Sequence, residues 1–134
     1  MILVDTSAWI HFLRGTDHPV RFVLRDFLRE PGQLATTPPV VMEVLAGARS
    51  DHEAAALRAR LLGLQFLPIV GLRGYEEAAA IHRACRGGGV TVRSQIDCLI
   101  AAVAIRNDAS VLHADAGFEM IARHTPLRLE PLGS

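Results

Sequence analysis

Short apolar runs, each followed by a stretch of helical periodicity, constrain this chain more than any other feature. Met1–Val4, Gln33–Thr36, Gln65–Val70, Ser110–His113 and Leu127–Leu129 read as strands. They are short and apolar and do not alternate, as expected when both faces of a sheet are covered. Between them lie helices. A short one, capped by Thr6 or Ser7, carries Trp9, Ile10 and Leu13. Val20, Val23, Leu24, Phe27 and Leu28 share one helix face and are stopped by Pro31-Gly32. Thr37-Pro38-Pro39 opens a helix to about Arg49, since proline is accepted in a first turn. Asp51 is expected to cap the next, with Leu57, Leu61 and Leu64 inward. Helices from about Arg73 to Arg86, over Ser94–Asn107 and over Ala116–Arg123 complete the pattern. The alternation predicts an α/β fold, a parallel sheet with right-handed crossovers.

The chain has 134 residues, which fits a single domain over 1–134. Half of the residues are hydrophobic, so disorder is excluded. No uncharged apolar run approaches the ~18 residues of a membrane span. Cys85 and Cys98 are too few for a disulfide scaffold, and Met1–Asp5 does not open like a leader. A cytoplasmic protein with reduced thiols is expected. Fourteen arginines balance fourteen acids, with no lysine. A domain that held nucleic acid by charge alone would lean basic.

Four acids stand where charges are out of place. Asp5 ends the run Ile2-Leu3-Val4, and Asp115 follows the strand Val111-Leu112-His113. Both fall at the carboxyl edge of the sheet, where open α/β folds bind ligands. Asp97 is the one charge between Arg93 and Arg106, and Glu43 interrupts Val40–Ala46. Asp5 and Asp115 each also read as helix caps. Ser94-Gln95-Ile96-Asp97 fits a capping box, with Asp97 bonding back to the Ser94 amide. Glu43 lies past the first turn of its helix, so capping does not explain it. A buried carboxylate there needs an arginine, a proton or a metal. If the four converge, each pair at 4 Å repels by about 4 kcal/mol at an effective dielectric of 20. A hard divalent cation with oxygen ligands, Mg²⁺ or Mn²⁺, offsets that repulsion.

Ile2-Leu3-Val4-Asp5-Thr6-Ser7-Ala8-Trp9-Ile10 resembles the N-terminal motif of PIN-domain ribonucleases, and more narrowly of VapC toxins. Met42-Glu43-Val44-Leu45-Ala46-Gly47, Val92–Ala102 around Asp97, and Leu112-His113-Ala114-Asp115-Ala116-Gly117-Phe118 match further motifs in the family's order. The resemblance implies a PIN-like fold, a five-stranded parallel sheet flanked by helices on both faces. It implies an Mg²⁺- or Mn²⁺-dependent endoribonuclease that leaves a 5′-phosphate and a 3′-hydroxyl. Asp5 and Asp97 match metal ligands, one or two ions being held, and Glu43 and Asp115 complete the acidic, catalytic cluster. Thr6, Ser7 and Ser94 stand beside these acids and also read as caps. The implied partners are structured RNA, tRNA or rRNA, a VapB-type antitoxin and a second copy in a homodimer, with growth inhibition through translation. Where the family often carries another Asp, this chain has Gly117.

Two other functions compete. A phosphotransferase or phosphatase with Asp5 as nucleophile needs a second Asp two residues on and a phosphate-holding Lys. Ser7 stands at the first position, and the chain has no lysine. A non-catalytic RNA- or protein-binding PIN module is disfavoured because all four acids are kept. Neither G-x-G-x-x-G nor G-x-x-x-x-G-K-[ST] occurs. Trp9, Phe12 and Phe118 read as packing residues rather than base stackers, and Cys98 as a small core residue.

Overall fold

The computed structural model describes residues 1–133. Five strands form one parallel sheet: β1 (Ile2–Val4), β2 (Leu34–Thr36), β3 (Gln65–Phe66), β4 (Ser110–Leu112) and β5 (Arg128–Leu129). Their order is β3-β2-β1-β4-β5. Ile2 pairs in register with Leu34 on one side and Ser110 on the other, so β1 is central. The connections are α1 (Thr6–Arg14), α2 (Pro19–Phe27), α3 (Pro38–Ala46), α4 (Asp51–Leu62), α5 (Gly71–Gly87), α6 (Gln95–Arg106) and α7 (Ala116–His124).

The strand order reverses direction after β3. Right-handed crossovers running one way place α1–α4 on one face; those running back place α5–α7 on the other. The packing agrees: α1 meets α2 and α3, α3 meets α4, and α5, α6 and α7 pack on one another. The reversal leaves a crevice at the carboxyl ends of β1 and β4.

Leu3, Val4, Leu34, Ala35, Val111 and Leu112 are wholly buried, as two covered faces require. Every residue of α6 from Asp97 to Ala104 is buried. That explains its near-unbroken apolar sequence: small Ala101, Ala102 and Ala104 let neighbours close around it. Trp9, Phe118 and Cys98 are core residues as read from sequence.

Most elements differ from the expectation by a residue at one end or both, and larger differences fall at β3, α3 and two helix caps. The third strand is Gln65–Phe66 rather than Gln65–Val70. It is an edge strand paired with β2 alone, and Pro68 has no N–H to extend the ladder. Helix α3 stops at Ala46, with Gly47 as its C-cap, instead of at Arg49. Ser50, not Asp51, caps α4, its hydroxyl accepting from the Glu53 amide. Neither Thr6 nor Ser7 caps α1. Asp5 does so, accepting from the Ser7 amide at 3.0 Å.

Candidate functional site

The crevice gathers the four acids from four separate elements. Asp5 follows β1, where its backbone N–H still donates to Leu112 of β4, and it is 3% exposed. Asp97 comes from the first turn of α6 and is 8% exposed. Glu43 projects from α3 and is half-buried; Asp115 sits exposed at the start of α7. Their grouping is visible in the electrostatics. The Asp97 carboxyl is pushed up to about 7, first by burial and then by the charges of Asp5, Asp115 and Glu43. Burial also raises Asp5, partly offset by hydrogen bonds from Ser7, with the Glu43 charge pushing it further up.

Neighbouring hydroxyls hold these carboxylates. The Ser7 hydroxyl donates to Asp5 Oδ2 at 2.6 Å and accepts from the Ala114 amide at 2.9 Å. One side chain thus ties the end of β1 to the loop that carries Asp115. The Thr6 hydroxyl donates to Glu43 Oε1 at 2.7 Å, joining α1 to α3. Glu43 is therefore neither fully buried nor unpartnered, which corrects the expectation for it. Its hydrogen bond accounts for part of its stability there, and no arginine does.

Asp97 departs from the capping-box expectation. Its backbone N–H donates to the Ser94 hydroxyl at 3.3 Å, but no reciprocal bond runs from its carboxylate to the Ser94 amide. Half the box is formed, and the carboxylate faces the crevice instead. Asp5 and Asp115 cap their helices and face the crevice as well. Asp115 Oδ1 accepts from the Gly117 amide at 2.9 Å. The cap and site readings of these two acids coexist, because each helix begins at the sheet's carboxyl edge.

In the sequence Gly117 is a gap in a pattern; in the fold it is a close approach. A Cβ at this position would lie 2.8 Å from Asp97 Oδ2. His113, buried at the end of β4, accepts from the Asp115 amide through Nδ1 and packs on Phe118. Burial lowers its pKa, so the ring is neutral and orients the loop rather than adding charge.

Among the described residues, none of the four acids forms an ion pair with an arginine. Nor do any three of the described His, Cys, Asp or Glu side chains already form a metal-holding group. The donor set is nonetheless all carboxylate oxygen, like-charged and partly desolvated. Hard cations such as Mg²⁺ and Mn²⁺ suit that chemistry; a soft metal wanting thiolate or imidazole does not.

The PIN domain family model matches residues 2–124. Ribonuclease VapC11 of Mycobacterium tuberculosis is 43% identical over 129 residues, 96% of each chain. Among solved structures, VapBC2 from Rickettsia felis bound to a promoter DNA fragment aligns with a TM-score of 0.73 at 18% identity, over 97% of this chain and 98% of that one. Mycobacterium tuberculosis VapC20, described as a sarcin-ricin loop cleaving toxin, aligns with a TM-score of 0.69 at 20% identity, over 96% of this chain and 99% of that one. Those two likenesses bear on the fold.

Proposed function

This chain belongs to the PIN-domain family, and from that premise we propose that it is an endoribonuclease dependent on Mg²⁺ or Mn²⁺, the toxin of a toxin–antitoxin pair. The relative named as a VapC ribonuclease supports the RNA-cleaving activity. The observation that carries the metal dependence is the meeting of four carboxylates at one crevice with no arginine paired to any of them among the described residues. In keeping with it, burial and the three neighbouring charges raise the Asp97 carboxyl to about 7. Such a group stays ionised at neutral pH when a cation joins it.

Asp5 and Asp97 would hold the cation, with Glu43 and Asp115 beside them. Bound there, it would stabilise charge on the scissile phosphate and lower the pKa of a water so that hydroxide is available for attack. Ser7 keeps Asp5 aimed into the crevice, and Thr6 does the same for Glu43. Both hydroxyls fix geometry before substrate arrives, so less ordering remains for the reaction step. The ten other acids against fourteen arginines leave a net +4 outside the cluster, enough to favour an RNA backbone around an acidic pocket.

Structured RNA is the substrate, tRNA or ribosomal RNA. The description of VapC20 as cutting the sarcin-ricin loop favours a folded RNA over a random strand. A VapB-type antitoxin is the partner, in keeping with the VapBC2 complex among the structural neighbours. The protein works in the cytoplasm as a homodimer. Among the described residues no helix is long and apolar enough to cross a membrane.

The test is cleavage of total tRNA and ribosomal RNA with Mg²⁺ or Mn²⁺, with and without EDTA, by the wild type, Asp5→Asn and Asp97→Asn. Metal-dependent cleavage by the wild type and none by either variant is expected. Undiminished cleavage by either variant overturns the site. Phosphate release from small phosphoesters without RNA cleavage favours the Asp5-nucleophile reading instead.

A further inference from the structure

Helix α2 opens beside the acid crevice. His18 caps it, Nδ1 accepting from the Val20 amide at 3.1 Å. The same ring stacks on His11 of α1, with 4.4 Å between centroids, which fixes the corner between the two helices. His18 is also close enough for its charge to act on His113, at the start of the loop that carries Asp115.

Arg21 stands in that first turn of α2 and is half-buried. Its side chain folds back on the turn between α1 and α2. There Nη1 donates to the Gly15 carbonyl at 3.2 Å and to the Thr16 carbonyl at 3.3 Å. The guanidinium carbon lies 5.0 Å from the centre of the exposed Phe22 ring. One nitrogen is thus committed to the fold. Nε and Nη2 form the forked edge of the guanidinium, and among the described residues that edge of Arg21 has no partner. Other arginines of the chain use the same edge on their own acids. Arg106 sets Nε and Nη2 on Glu77 Oε1 at 3.0 and 2.8 Å, and Arg25 turns both to Asp26 Oδ1 at 3.3 Å. Arg21 makes no such pair, although Asp17 and Asp26 are near in sequence.

A guanidinium locked through one nitrogen and open along its fork is matched to an anion with two oxygens to offer, and phosphate is such an anion. The lock also removes much of the ordering cost that a free arginine would carry into binding. A strand of RNA laid over the acid cluster brings further phosphates to either side of the one being cut. Contacts to those phosphates set the register of a nucleic acid on a protein without reading its sequence.

We propose that Arg21 grips a backbone phosphate of the substrate RNA beside the scissile bond, and so sets where the strand lies over the acid cluster. The proposal rests on the RNA-cleaving reading above and deepens it. Arg21 is a binding residue in it and takes no part in the chemistry.

Fluorescence anisotropy of end-labelled total tRNA tests it, with the full chain in EDTA over a series of salt concentrations. Wild type, Arg21→Gln, Arg21→Lys and Arg128→Gln are compared, and circular dichroism checks that each is folded. Arg21→Gln is expected to bind roughly tenfold more weakly, and its slope of log affinity against log salt to fall by about one. Arg21→Lys keeps the charge without the fork, so it is expected to keep the slope and lose affinity a few-fold. Arg128 pairs with Asp108 at the opposite edge of the sheet, and Arg128→Gln is expected to leave the slope unchanged. In Mn²⁺, Arg21→Gln is expected to raise KM and spare kcat. An Arg21→Gln that melts earlier but keeps the wild-type slope is only a brace for the turn, and overturns the proposal. An equal loss of slope in Arg128→Gln overturns it too. Where Arg21→Gln does not fold, Arg21→Lys decides, and wild-type affinity in it overturns the grip. Unchanged RNA affinity with weaker binding of the product of the adjacent gene overturns it and assigns the fork to that partner. A wild type that binds RNA through Arg21 but cuts none with metal overturns the ribonuclease reading and leaves the grip standing. A wild type that binds no RNA, in EDTA or in Mn²⁺, overturns both.

Discussion

The carboxylate of Asp97 occupies the space in which a side chain on Gly117 would begin. A Cβ at residue 117 would stand 2.8 Å from Asp97 Oδ2 and 3.3 Å from Asp115 Oδ1. The first separation is one that real contacts do not sustain, and the obstacle is a carboxylate rather than a flexible tail. The glycine in the first turn of α7 thus sets how deeply Asp97 leans over that helix and how near it comes to Asp115. An aspartate at this position would need Asp97 to move, so this chain's acid cluster is arranged differently from one with an acid there.

Gly117→Ala separates stability from site geometry. Alanine is favoured over glycine inside a helix by up to about 1 kcal/mol. The methyl group displaces the Asp97 carboxylate. The helix gain and the cost of that displacement oppose each other, so the expected outcome is a folded protein with little change in melting temperature and Mn²⁺ affinity lower by about 10–100-fold. Calorimetric titration with Mn²⁺ beside a thermal melt checks both halves.

Ser7→Ala removes two bonds at once. Asp5 loses its 2.6 Å donor and the Ala114 amide loses its acceptor. A hydrogen bond to a charged group contributes about 1.5–3 kcal/mol. Urea unfolding at pH 8 is expected to show a loss in that range, together with slower RNA cleavage. Ser7→Thr keeps the hydroxyl and is expected to recover most of both. If Ser7→Ala is as stable as wild type, the hydroxyl does not tie β1 to the β4 loop.

The acids were legible because each breaks an apolar pattern, whereas the strand order that reverses beside β1 and brings them to one crevice is visible only in the fold. What the sequence hid is contact. Gly117 reads as an absence until Asp97 is placed over it. The fate of the Ser94 capping box depends on where the Asp97 side chain turns, which the spacing leaves open. Glu43 looked buried because its helix is apolar, yet α3 lies at the crevice edge, where Thr6 reaches it. Gln65–Val70 is strand-like in composition, but an edge position and Pro68 cut it to two residues.

Stability without metal should fall as pH rises. The folded-state pKa of Asp97, about 7, lies above its ordinary 3.8, and Asp5 is raised too. The folded protein therefore holds protons that the unfolded chain has released. Their contribution is fully present below about pH 4 and is lost as pH rises through 7. A decline of a few kcal/mol between these limits is expected in urea unfolding with EDTA. Saturating Mn²⁺, which favours the ionised carboxylates, is expected to flatten or reverse it. A metal-free stability that rises from pH 4 to 8 would contradict the clustered arrangement.

Asp97→Asn sharpens that test, because a structural acid and a metal-holding acid predict opposite signs. The amide fills nearly the same volume, and the backbone bond from residue 97 to the Ser94 hydroxyl is untouched by the change. The substitution does remove a desolvated charge facing Asp5, Asp115 and Glu43. With no arginine partner left unpaired, nothing in the ion-pair pattern offsets that relief. The metal-free variant is therefore expected to be more stable than wild type at pH 8, by about 1–2 kcal/mol, and to lose most of the pH dependence above. RNA cleavage is expected to vanish, and added Mn²⁺ to stabilise the variant less than it does wild type. A variant that is less stable than wild type without metal would mean that the carboxylate braces the α6 turn, and Asp97 would then be a structural cap rather than a metal ligand.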